Sequence, residues 1–338
     1  MMMIAATCLA GRGLAAAEAD CSRNAALGYW MAMAQMQNPD ADAALAETLE
    51  RTARGQVPWD DRLAPVVEAN REALATMHRA ARQPFCDWGL EYSRDAEAPI
   101  AHLVRARTLA RLNVLLGMSL LEKSKAEEAA EVWLDGLRFS RDIASGAPLL
   151  GALFAFSELE THMRAIERAV GRGLLPDPQV RAIERFVSAL PEDGFDWGTA
   201  VDVELGGIVG LQQRLLESDD ARPLLRRTVA GEGSGVEQDV AVAAYLGIPV
   251  GSLGDGRVVR RALERGLAAM TALRPRAVAA LRLPYAESIP VMAEILAEAR
   301  KDPTLAAGWP SLARANEEAR GRLVKARAAL LTALRASR

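Results

Sequence analysis

Leu109, Leu112, Leu116 and Leu120 recur at steps of three and four, and that spacing repeats along almost the whole chain. Val180, Ile183, Val187 and Leu190 form a second stripe; Leu312, Ala319, Leu323, Leu330 and Leu334 lie along a third. Such a period suits one face of an α-helix and conflicts with the two-residue alternation of a half-buried strand. Alanine, a strong helix former and a poor strand residue, occupies 65 of the 338 positions. Asp40 after Asn38-Pro39 and Asp177 before Pro178 mark helix starts, while Gly55, Gly146 and Gly171 mark ends. The pattern predicts helices over 22–37, 41–54, 60–82, 97–122, 125–145, 148–170, 178–190, 197–217, 237–246, 257–273, 285–300 and 310–336. The expected fold class is all-α.

One stretch is more specific. From Arg111 to Ile143, Leu116-Gly117, Leu120, Ala129, Trp133 and Gly136 match most signature positions of a tetratricopeptide unit, with Arg141 in place of its final proline. Gly117, Ala129 and Gly136 would let two helices approach closely, with Leu120 and Trp133 filling the gap between them. One unit cannot bury its own face, so neighbouring helix pairs must stack on it. The expectation is a tetratricopeptide-like repeat or α-solenoid over 20–230, a glycine-rich loop region over 231–256, and an irregular helical block over 257–338.

Residues 1–19 read as a leader. Met1–Ala10 is apolar, and Ala17-Glu18-Ala19 fits a signal-peptidase site with cleavage before Asp20, although the usual basic start is missing. A genuine leader places the mature chain outside the cytoplasm; otherwise it stays inside. Elsewhere the most apolar stretch, Ala147–Phe156, is about half the length of a membrane span, so no transmembrane helix is expected in the mature chain. Of three cysteines, loss of the leader would remove Cys8 and leave Cys21 and Cys86. They are either a disulfide or two buried thiols.

The formal net charge of −3 gives no global attraction to nucleic acid. Basic residues gather near the C-terminus at Arg320, Arg322, Lys325, Arg327, Arg335 and Arg338, where a solvated helix face is a simpler reading than an anionic partner.

Two turns echo each other. Phe85-Cys86-Asp87-Trp88-Gly89 follows Pro84, and Phe195-Asp196-Trp197-Gly198 follows Pro191; Pro58-Trp59-Asp60 is a weaker relative. Aspartate can cap the next helix while tryptophan covers a seam between helices. Alternatively, Asp87, Trp88, Asp196 and Trp197 form a partner-binding surface with tryptophan as anchor.

Asn24-Ala25-Ala26 with Tyr29-Trp30, then Cys86 through Tyr92, then His102-Leu103 and Arg105-Ala106-Arg107, resemble a group of exported all-helical proteins from planctomycete-like and related bacteria. The resemblance covers roughly residues 22–205 and implies an extracytoplasmic helical-repeat protein. It carries no catalytic residues across.

Chemistry-bearing motifs are sparse. His78, His102 and His162 fall on separate expected helices, and no HExxH or CxxC occurs, so no metal site or cofactor is expected. Glu158 and His162 share a helix face, but a dinuclear site needs such pairs on two helices. The glycines from Gly231 to Gly235 lack the Lys-Ser/Thr of a phosphate cradle. Glu287-Ser288 matches a dipeptide of helical lytic transglycosylases and also suits a helix start. The expected function is therefore a non-catalytic scaffold for a protein or peptide partner. The alternatives are a cell-wall hydrolase with Glu287 as general acid, and a carrier of an apolar ligand.

Overall fold

The computed structural model describes residues 23–37, 43–92, 101–218, 220–230, 234–306 and 309–337. These are helical almost throughout, with no strand among them and one isolated parallel bridge between Asn24 and Phe85. The leader 1–19, Cys21 and Asn38–Asp40 lie outside the described residues.

Local chemistry accounts for most boundaries. Asn24 opens α1 (Ala25–Gln35) by accepting the Ala26 amide on its side-chain oxygen. After α2 (Ala43–Ala53), the run expected as one helix over 60–82 divides into a 3-10 turn at Asp61–Leu63, α3 (Ala64–Ala69) and α4 (Arg71–Ala81). Asn70 makes the break: its amide donates to the Val66 carbonyl while its Oδ1 accepts the Gln37 amide at 2.8 Å. Those bonds compete with helix continuation.

α5 (Ala101–Glu122) and α6 (Ala126–Ile143) form an antiparallel pair, reversed at Lys123–Lys125 with Ser124 in the left-handed region (φ 59°). Trp133 of α6, fully buried, lies directly over Gly117 of α5, where any Cβ would collide with the indole. Gly136 likewise makes room for His162 and Asn113. The close approach read from the glycines is present.

There follow α7 (Leu149–Gly171), α8 (Asp177–Ala189), and α9 (Trp197–Glu217), the last capped by Asp196. Next come the one-turn α10 (Arg222–Leu225), a π turn at Arg226–Ala230, and α11 (Gly235–Leu246) with a Ser234–Glu237 capping box. α12 (Gly256–Leu281) runs past the expected end at 273 because it accommodates Pro275 internally. α13 (Tyr285–Ala299), the one-turn α14 (Pro303–Ala306) and α15 (Trp309–Ala336) complete the order.

α5, α6 and α7 pack in succession, α1 lies on α4, and α9 on α12. α15 returns to lie along α7 and α8, neighbours in space that are far apart in sequence. Its Leu323, Leu330 and Leu334 are fully buried in one core that extends from α1 to α9 and takes in the second half of α12, α13 and α15. A smaller core of Leu215, Leu225, Val242, Leu246, Val259 and Leu263 underlies the irregular stretch.

Of the basic residues gathered near the C-terminus, Arg320 is buried and Arg327 half-buried, whereas Arg322, Lys325 and Arg335 are exposed as on a solvated face, and Arg338 lies outside the described residues. Arg322 pairs with Glu160, Arg335 with Glu184, and Arg320 with Asp193. Arg327 donates to the Val187 and Ser188 carbonyls at 3.0 Å each, capping the C-terminus of α8.

Candidate functional site

The two echoing turns face one another across an open groove of 620 Å³. Pro84–Cys86 forms one bank and Leu190–Asp196 the other; the C-terminal end of α6 lies between them, with Phe186 of α8 beside it. Nothing in the local sequence of either turn reveals this pairing, because it depends on how α8 and α15 dock.

Each bank is fixed by hydrogen bonds. On the near bank the Ala25 amide donates to the Phe85 carbonyl at 2.9 Å. The Asn24 side chain donates to the Asp87 carbonyl and accepts the Asp87 amide, at 2.7 and 2.9 Å. Ser145 Oγ donates to the Cys86 carbonyl at 2.8 Å. On the far bank Asp196 accepts the Thr199 amide and hydroxyl, and Arg320 Nε donates to Asp193 at 2.7 Å.

Trp88 is 8% exposed and Trp197 fully buried. Their indole N–H groups donate to the Asp142 and Asp193 carbonyls, at 2.8 and 2.9 Å. That corrects the expectation of tryptophan anchors: both rings are internal supports, as the seam-covering reading holds. Asp87 and Asp196 remain exposed, but each is held by its own turn, Asp87 through the Gly89 amide and Asp196 as the cap of α9. The aromatic surface offered to solvent is Phe85, 37% exposed, with half-buried Phe186.

Arg141 and Asp142 supply the charge. The Arg141 guanidinium stands 5.7 Å from the Phe186 ring centroid and donates twice to Asp142 Oδ1, at 2.9 and 2.7 Å. Asp142 Oδ2 accepts the Tyr29 hydroxyl at 2.7 Å. Burial raises the Asp142 carboxyl, against the pull of Arg141, and raises the Tyr29 phenol well above its ordinary value. The groove thus combines aromatic surface with a preorganised ion pair, an arrangement suited to recognition.

Other expected positions lie elsewhere. Glu287 is exposed on the first turn of α13, outside this groove. Cys86 lines the near bank, half-buried, and burial pushes its thiol far up. His78 and His162, on separate helices as expected, are joined through Asn113 in a buried chain that sequence reasoning did not reveal. His162 lies close to the Glu158 backbone carbonyl, not its carboxylate. Among the described residues no cluster of three His, Cys, Asp or Glu side chains could hold a metal, and no helix is long and apolar enough to cross a membrane. A small cavity near Met292, Trp309 and Asn316 measures 20 Å³, room for about one water.

No protein-family model, characterised relative or solved structure matches this chain.

Proposed function

We propose that the protein is a non-catalytic helical-repeat scaffold, and that a protein or peptide partner sits in the groove between the 84–88 and 191–197 turns. The carrying observation is that two turns of like sequence, each with a buried tryptophan behind it, form opposite banks of one groove. The tetratricopeptide-like α5–α6 pair, extended by α7, supplies the stacked scaffold, with α15 closing one side of the stack. Export is supported by Ala17-Glu18-Ala19 and by the resemblance of residues 22–205 to exported helical proteins. The carrier reading finds less support, since the 20 Å³ cavity is far smaller than an acyl chain.

A photoreactive phenylalanine placed at Phe85 or Phe186 in the native host tests the site. Both positions are expected to crosslink the same partner, while Val236, exposed beside the smaller core, should not. Arg141→Glu should abolish that product. Crosslinks absent from both banks, or equal from Val236, would overturn the assignment.

A further inference from the structure

We propose that a second cleft, between α4 and α6, binds a small zwitterion of dipeptide size with an apolar body, its carboxylate at Lys123 and its ammonium between His78 and Glu131. The cleft measures 430 Å³ and shares no lining residue with the groove between the turns, so the proposal is independent of what that groove holds. α4 and α6 wall it, and the end of α5 floors it with Leu116 and Leu120. The two walls run in the same direction: Arg71 lies near Glu128 at one end, and Arg82 pairs with Asp135 at the other.

His78 sets the chemistry of the middle. Asn113 donates its amide to the Val132 carbonyl, so its Oδ1 accepts, and His78 Nε2, 2.7 Å away, carries the proton. Nδ1 is left as a lone-pair acceptor with no protein partner, and it is not sealed from solvent. Burial lowers the His78 pKa, against the pull of Asn113 and Asp135, which keeps the ring neutral at pH 7. A ligand at this level must bring an N–H or O–H donor.

The surrounding charges decide which donor. Arg71 is held by Glu68, Lys125 by Glu128 and Arg82 by buried Asp135, each at 2.8 Å. Two ions are left over. The Lys123 ammonium meets no carboxylate among the described residues. Glu131, exposed, stands 3.8 Å from Arg82 without a hydrogen bond. An amine beside His78 and Glu131 and a carboxylate at Lys123 satisfy both ions, while Ala75, Leu120 and Val132 offer apolar contact between them. Val132, level with His78 through Asn113, lies about 10 Å along α6 from Lys125. Lys123 lines the same cleft and reaches over part of that span, and a dipeptide extends roughly 7 Å.

Calorimetric titration of the full chain with leucyl-leucine, N-acetyl-leucyl-leucine and leucyl-leucinamide tests the site. Leucyl-leucine is expected to bind with a Kd below about 1 mM, and each blocked form at least about tenfold more weakly. Lys123→Gln should weaken leucyl-leucine but leave leucyl-leucinamide unchanged, because that ligand has no carboxylate to lose. Glu131→Gln should weaken leucyl-leucine but leave the N-acetyl form unchanged. Both substitutions are on exposed side chains, and circular dichroism confirms that the helices are intact. No binding of leucyl-leucine at about 10 mM, equal affinity for a blocked form, or variants that lose nothing would overturn the proposal.

Discussion

Asn113 of α5 approaches His162 Nε2 of α7 with its amide nitrogen at 3.1 Å, while its carbonyl oxygen lies 2.7 Å from His78 Nε2 of α4. The same amide donates to the Val132 carbonyl of α6 at 2.9 Å. With His162 Nδ1–H donating to the Glu158 carbonyl, one asparagine joins four helices with compatible neutral imidazoles. Asn113→Leu deprives buried groups on three other helices of a partner, each loss costing about 1–3 kcal/mol. Urea unfolding should show a loss of at least about 3 kcal/mol. A loss below about 0.5 kcal/mol would mean that the network contributes no net stability.

Two buried groups of α7 titrate in opposite senses. Burial lowers His162 to about 4, and burial raises Glu158, whose carboxylate oxygens have no hydrogen-bond partner, to about 7. The unfolded chain protonates this histidine near 6.5, so its contribution is present above 6.5 and is lost as pH falls through 4. The glutamate's contribution is present below its unfolded value of 4.5 and is lost as pH rises through 7. Glu158→Gln removes only the second effect. The stability of this variant relative to wild type should therefore increase from pH 4.5 to 7, by on the order of 3 kcal/mol. Urea titrations at several pH values measure it, and a pH-independent difference would refute the assignment.

Gly117 and Gly171 separate two roles of glycine in helices. A Cβ at Gly117 meets the Trp133 indole, whereas one at Gly171, the last residue of α7, meets nothing within 4 Å. Gly117→Ala should destabilise by about 1–3 kcal/mol through overpacking. Gly171→Ala should be neutral or stabilise by up to about 1 kcal/mol, since alanine is the better helix former. Thermal melts of the two variants should move in different directions or by clearly different amounts.

What sequence disclosed, and what it left hidden, follows the range of the interactions. Val180, Ile183, Val187 and Leu190 are all buried because a helical stripe is a local property. The Gly117–Trp133 approach was legible for the same reason: it joins helices separated by a three-residue turn. The groove was not, because the Phe85 and Phe195 turns come to line it together only after α1 binds the 85–87 segment and α15 docks on α7 and α8. Trp88 and Trp197 were ambiguous between anchor and seam; the carbonyls their indoles reach decide for the seam. Arg322 and Arg335 are exposed, as a solvated face implies, but their pairing with Glu160 and Glu184 and the burial of Arg320 against Asp193 stayed hidden because those acids lie far back in the sequence.

Arg320 connects that returning helix to the far bank. It is 2% exposed, with Nε 2.7 Å from Asp193, Nη1 2.7 Å from Ser288 Oγ, and its guanidinium 5.4 Å from the Tyr285 ring centroid. Burial raises the Asp193 carboxyl, while Arg320 opposes that rise. Arg320→Met strands the carboxylate and should cost about 3–5 kcal/mol, as expected for a buried pair that loses one partner. Asp193→Asn alone strands the cation instead. Combining the two should cost less than the sum of the single losses by at least about 1 kcal/mol, because neither buried charge is then left alone. Local loosening should accompany the global loss, since the Asp193 carbonyl also accepts the Trp197 indole N–H. In hydrogen exchange, Arg320→Met should lower protection of 191–199 more than that of α5 and α6, which lie outside this contact. Additive costs with uniform exchange would show that Arg320 stabilises the molecule generally and does not brace the groove.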